Sequence, residues 1–152
     1  MKKYTRQELD YILEQHQLWL ENKGGKRAVF RNIDLSNFDL NGVNLRRANL
    51  IRANFNGSNL SHADMSYADI TYASFRNANL NDAIFRDADI RNADMSDAKM
   101  LNVDLYGADL YRTDLSNAIL NTDIFDRAAP SGTIIKLRDS SRALCLAVGK
   151  NT

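Results

Sequence analysis

The side chains able to do covalent chemistry are few and scattered. The 152 residues contain two histidines, His16 and His62, and one cysteine, Cys145. Nucleophilic catalysis needs a Ser or Cys beside a base, with its partners converging in a concave site. Ser61 and His62 are only sequence neighbours, and no Ser/His/Asp or Cys/His arrangement surrounds them. No Gly-rich phosphate loop and no zinc-type Cys/His spacing occurs. The pattern therefore points away from an enzyme and implies no cofactor and no metal. A lone Cys145 excludes an internal disulfide framework and reads as a small buried apolar residue. Two groupings remain. Asn49, Asp69, Asp89 and Asp109 recur every 20 residues; stacked, their like charges would repel, and a bound cation, or Arg91 and Arg112 nearby, would relieve them. The second grouping is a candidate interaction edge of Arg46, Arg47, Ile51, Arg52, Tyr67, Tyr72, Arg86, Arg91, Tyr106, Tyr111 and Arg112. Interleaved Arg and Tyr suit a protein partner or a nucleic-acid backbone. The same residues would also stack across coils and simply stabilise the chain.

An internal repeat must position these residues. From Phe30 to Leu120 every fifth residue is large and apolar, at 19 successive positions, and the residue two before it is Ala in 13 of them. Asp or Asn usually lies between the two. A period of five fits neither the 3.6 of a helix nor the 2.0 of a strand. It fits a short extended piece followed by a corner, with one small and one large residue turned inward. Coils of this kind stack at strand spacing, about 4.8 Å, into a β-solenoid.

Copies such as Ala48-Asn49-Leu50-Ile51-Arg52, Ala63-Asp64-Met65-Ser66-Tyr67 and Ala108-Asp109-Leu110-Tyr111-Arg112 resemble the pentapeptide-repeat family, A-[D/N]-L-x-x. The resemblance implies an all-β solenoid, a right-handed quadrilateral β-helix with 20 residues per coil. It also accounts for an otherwise odd composition of one Pro and seven Gly, because the repeat turns its own corners. Residues 20 apart then stack, giving the columns Phe30, Leu50, Ile70, Ile90, Leu110 and Leu35, Phe55, Phe75, Met95, Leu115. Phe55 and Phe75 should form an aromatic step. The expected core also includes Phe85 and a uniform small-residue column containing Ala68 and Ala88.

The reading divides the chain into 1-27, an N-terminal capping helix and turn; 28-125, the β-helix; and 126-152, a C-terminal cap or dimerisation segment. Thr5-Arg6-Gln7-Glu8 is a capping box with Tyr4 and Leu9 as its staple. Leu9, Ile12, Leu13, His16 and Leu20 fall on one stripe flanked by Trp19. Gly24-Gly25 reads as the helix stop. Beyond Leu120 the register degrades; Asn121 to Phe125 is at most a frayed last side, and Ala129-Pro130-Ser131-Gly132 is a turn. Thr133 to Leu137 and Arg142 to Val148 follow as a C-terminal extension suited to a β-hairpin. It would lie over the last coil or pair with a second copy, since the resemblance implies homodimers through this end.

Charge separates the function classes. The 20 Lys+Arg and 19 Asp+Glu leave a net of +1, distributed as +2 before residue 30, −3 over 30 to 120 and +2 beyond. Some relatives in the family protect DNA gyrase by presenting a rod shaped like duplex DNA. A mimic about 23 Å long at strand spacing would want about 14 negative charges, whereas residues 30 to 120 hold 12 Asp against 9 Arg or Lys. The expected function is thus a non-enzymatic scaffold or protein-interaction module, with the DNA-mimicking gyrase modulator as the alternative. A protein partner is expected, and direct nucleic-acid binding is not. The absence of a signal-like apolar segment and of a membrane-spanning run suggests a cytoplasmic protein that does not engage a membrane. A bacterial or phage source fits the resemblance.

Overall fold

One pentapeptide forms one side of a square coil, and the segment from Ala48 to Ala53 shows how. Ala48 and Leu50 are fully buried while Asn49, between them, faces out. The Asn49 side-chain oxygen accepts the Ile51 N–H at 3.2 Å, Arg52 takes a left-handed conformation with φ 55°, and the Ala53 N–H donates to the Leu50 carbonyl at 3.0 Å. This tight turn has its third residue at positive φ, as a type II turn requires. The carboxamide or carboxylate clamp recurs down the chain, from Asp34 to Ser36 (2.9 Å), Asp64 to Ser66 (3.0 Å) and Asp94 to Ser96 (3.0 Å). Asp and Asn thus do the turning that Gly and Pro do elsewhere.

The structure, a computed structural model, describes residues 1–121, 133–139 and 142–148. Four turns close a coil, so each bridge between successive coils joins residues 20 apart in parallel: Val29 to Asn49, Asn49 to Asp69, Asp69 to Asp89 and Asp89 to Asp109 on the first side. The other three sides repeat this register. Most sides hold a single bridged residue, and regular strands are short: β1 (Lys2–Lys3), β2 (Ile33–Asp34), β3 (Lys99–Met100) and β4 (Ile119–Leu120).

The tube is filled by its own side chains. Phe55 and Phe75 stack with centroids 4.9 Å apart and planes 8° from parallel, and Phe85 meets Phe75 edge-on at 6.4 Å. Leu50, Ile70 and Ile90 are fully buried, with Ala68 and Ala88 beside them. Two positions of the small-residue columns carry hydroxyls instead. Ser58 donates to the Leu35 carbonyl at 2.6 Å and Thr113 to that of Ile90 at 2.7 Å, so neither interior oxygen is left unpaired.

Helix α1 (Arg6–Leu20) sits against the first coil. Thr5 and Glu8 close a reciprocal capping box, Leu9 is buried, and Tyr4 meets Phe30 edge-on at 6.2 Å. Arg6 donates to the Asp39 carbonyl and Asn44 to Gln17 at 3.1 Å. His16 is fully buried and makes the most specific contact. Its Nδ1 accepts the Ala28 N–H at 3.0 Å, so the ring proton lies on Nε2, which donates to the Arg46 carbonyl at 3.0 Å. Two details differ from the sequence reading. Asn22, at φ 57°, is the first left-handed residue after the helix, ahead of Gly24 and Gly25; Asn tolerates this conformation nearly as Gly does. In addition, β1 pairs in parallel with β2, which extends the first coil upward where the pattern gives no strand signal.

At the C-terminal end β5 (Thr133–Asp139) and β6 (Arg142–Val148) pair antiparallel with Thr133 opposite Val148. The frayed side over 122–125 and the turn over 129–132 lie outside the described residues, as does the side-chain environment of Cys145. No helix among the described residues is long and apolar enough to cross a membrane.

Candidate interaction surface

The residues of the Arg/Tyr grouping fall on two parallel corners, the two long borders of the first side. Arg46, Arg86 and Tyr106 take the first corner position between the fourth and first sides, and Arg47 and Tyr67 take the second. Between the first and second sides, Ile51, Arg91 and Tyr111 take the first position and Arg52, Tyr72 and Arg112 the second. All four solenoid tyrosines stand on these corners, and all are exposed: Tyr67 49%, Tyr72 54%, Tyr106 52% and Tyr111 38%.

The second position of every corner in the coils is left-handed. Asn, Asp and Gly occupy it at the lowest steric cost, and His is tolerated. Elsewhere the sequence obeys that preference, with Asn32, Asn37, Gly42, Gly57, His62, Asn77, Asp82 and others. The bulky exceptions are Arg47, Arg52, Tyr67, Tyr72 and Arg112, with φ between 55° and 61°. Every one of them lies on the two corners that border the first side.

Guanidinium groups on these corners divide into two sets. Arg46 pairs with Asp64 at 3.3 Å, and Arg86 with Asp104, both toward the fourth side; the bond to Asp104 holds the Arg86 pKa above its ordinary value. Arg91 turns back from its corner toward the first side, 2.6 Å from Asp89 and 3.8 Å from Asp109. Its hydrogen bonds hold the Asp89 carboxyl below the usual carboxylate range. The stacked carboxylates are thus relieved by Arg91, whereas Arg112 turns to the Tyr111 ring at 5.2 Å. Arg47 lies 5.6 Å from the Tyr67 ring, and Arg52 5.0 Å from that of Tyr72. Among the described residues, these three left-handed arginines have no carboxylate within 4.0 Å. All three residues are exposed.

The other residues with chemical potential do not converge. His62 stands exposed 3.8 Å from Asp82, and its neighbour Ser61 donates to Asn59 at 2.7 Å. Among the described residues no group of His, Cys, Asp and Glu is arranged to hold a metal ion.

Sequence reasoning missed one part of the surface. A cavity of about 450 Å³ opens where the end of α1 meets the fourth-to-first corner, lined by Trp19, Leu20, Asn22, Gly24, Gly25 and Arg47. Lys26 and Arg27 stand one coil above Arg46 and Arg47, and Arg27 donates to the Arg47 carbonyl. Carrying the 20-residue step one coil upward from Arg47 would have found Arg27.

A family model described as Pentapeptide repeats matches with 8 copies, over residues 28–66, 44–82 and 83–121. No curated protein matches the chain. Similar solved structures include a pentapeptide repeat protein from the thylakoid lumen of Arabidopsis thaliana, at 21% identity and TM-score 0.45, covering 64% of this chain and 74% of that one. HetL from the cyanobacterium Nostoc sp. strain PCC 7120, a protein involved in heterocyst differentiation regulation, is 28% identical at TM-score 0.34, over 74% of this chain and 65% of its own. QnrB1, a plasmid-mediated fluoroquinolone resistance protein, is 18% identical at TM-score 0.45, over 80% and 69%.

Proposed function

The chain belongs to the pentapeptide-repeat family, and on that premise we propose that it is a non-enzymatic protein-interaction module whose partner binds across the two Arg/Tyr corners. The observation that carries this reading is the placement of Arg47, Arg52, Tyr67, Tyr72 and Arg112 at left-handed positions. Non-Gly residues in that conformation are strained, by about 1–2 kcal/mol relative to the right-handed form, and local rules are typically broken where function demands it. Stacking of Arg on Tyr returns about 0.5–1 kcal/mol at exposed sites, which does not favour these residues over Asn. Exposed Tyr and Arg are also the side chains enriched at the energetic centres of protein interfaces.

The test is capture of partners by the wild-type protein and by a variant with Arg52, Tyr67, Tyr72 and Arg112 all changed to Asn. Loss of specific partners with the fold intact is expected, and an unchanged partner set would remove the corners from consideration. A gyrase supercoiling assay probes the competing class, since strong inhibition or quinolone protection at micromolar protein would overturn the proposal in favour of DNA mimicry.

A further inference from the structure

The upper end of the fourth-to-first corner differs in charge from the rest of the molecule. Lys26, Arg27, Arg46 and Arg47 gather within two successive coils, and among the described residues only Arg46 has a carboxylate within 4.0 Å, Asp64. The Trp19 cavity opens directly beside Arg47. Trp19 itself is half-buried, with its indole stacked on the His16 ring at 5.6 Å. One flank of this cluster therefore offers cations with no paired carboxylate, and the other offers an open recess of mixed polarity in which Trp19 and Leu20 supply the apolar wall.

From this juxtaposition we propose that the corner docks a short acidic protein segment, with carboxylates on Lys26, Arg27 and Arg47 and an aliphatic side chain in the Trp19 cavity. The proposal rests on the interaction-module reading and gives it a partner chemistry and a location. Charge complementarity sets the sign of the occupant. The extent of the patch sets its class. Down the same column the basic residues give way to Tyr67 and then Asp87, two coils or about 10 Å below Arg47. Asp64 and Asp69 flank the column on the two adjoining sides. A nucleic-acid strand carries charge continuously along its length and would run from the cations onto these carboxylates. A protein segment can confine its acidic residues to the few that match.

Trp19 is the only tryptophan in the chain, so its fluorescence reports occupancy of the cavity directly. The probe is a labelled synthetic peptide of Asp and Glu with one central Leu. Binding by anisotropy should come with a change in Trp19 emission, and each of Lys26→Glu and Arg47→Glu should weaken it by about tenfold or more. Both side chains are exposed, and circular dichroism verifies that the variants fold. Arg76→Glu, on a distant corner, should bind as wild type. A silent Trp19, affinity unaltered in the Lys26 and Arg47 variants, or equal binding of a Lys-rich peptide would overturn the proposal. So would tighter binding of an oligothymidylate or displacement of the peptide by millimolar inorganic phosphate, which would identify a general anion site. If the peptide fails while the corner variants still lose captured partners, only this inference falls. If the corner variants lose nothing, the broader reading falls first.

Discussion

At the level of single residues, the left-handed corner position is where the proposed interaction role and stability can be told apart. Tyr72 sits at φ 61°, is 54% exposed as a residue, and has Arg52 5.0 Å from its ring. Replacing Tyr72 by Asn relieves steric strain and forfeits one cation–π contact, effects of similar size and opposite sign. We expect Tyr72→Asn to leave the thermal unfolding midpoint unchanged or raise it, with stability altered by less than about 1 kcal/mol, while partner capture declines. A clear drop in midpoint would mean that the Tyr/Arg pair serves the solenoid itself. The pentapeptide period identifies which residue occupies each corner, and that much is legible in the sequence. The period alone does not say that the second corner residue is left-handed; the signal was the recurrence of Asn, Asp and Gly at most of these positions. With the φ values in hand, Arg47 and Tyr72 become exceptional.

Among the elements, α1 and the coils make different demands. His16 joins α1 to the first two coils as a buried neutral ring, with an acceptor at Nδ1 and a donor at Nε2. Burial is the main cause that lowers its pKa, with the Arg27 charge acting in the same direction, against the opposing bond to Arg46. A proton added at Nδ1 would face the Ala28 N–H, converting an acceptor into a second donor. A lowered folded-state pKa means that the contribution of His16 is complete above its unfolded value of about 6.5 and is lost as pH falls toward the folded one. Stability measured by urea titration should therefore decline just below pH 6.5, and His16→Asn should remove that step. Carboxylates such as Asp89, depressed by Arg91, lose their contribution only at more acidic pH, below about 4. Within the coils, Ala68 is 2% exposed in a column of buried alanines. Ala68→Leu should overpack the tube and cost about 1–3 kcal/mol, read as a lower urea midpoint. Unchanged stability would contradict the stacking register. The column was legible once the resemblance supplied the 20-residue step. The seat of His16 was not, because its partners are the backbone groups of Ala28 and Arg46, which no side-chain pattern reveals.

For the whole molecule, contacts run mainly between neighbouring coils, so cooperativity is expected to propagate along one axis. The first coil is covered by β1 and α1, and their removal should lower the unfolding midpoint by more than any single corner substitution, as scanning calorimetry would show. Local periodicity placed the solenoid and the capping box placed the helix, while the four sides followed from the resemblance to pentapeptide repeats. Sequence reading missed β1, whose pairing with Ile33–Asp34 joins residues about thirty positions apart and leaves no periodic trace in two lysines. It also missed the Trp19 cavity, which exists only where α1 returns to the corner.

The fixed bridge spacing of 20 residues also governs how such a chain can change length. An insertion of one pentapeptide preserves every local rule, including the inward Leu, the Asp or Asn clamp and the left-handed corner, yet it rotates everything downstream by a quarter turn. Placed after Arg52, it would carry Tyr106 and Arg112 to other corners and split the surface between two faces. Four pentapeptides inserted together would instead lengthen the same surface by one rung and leave its faces aligned. Duplication in whole coils is the route by which this molecule can grow without moving the proposed interaction face, and deletion in single repeats is the route by which it would lose that face while still folding.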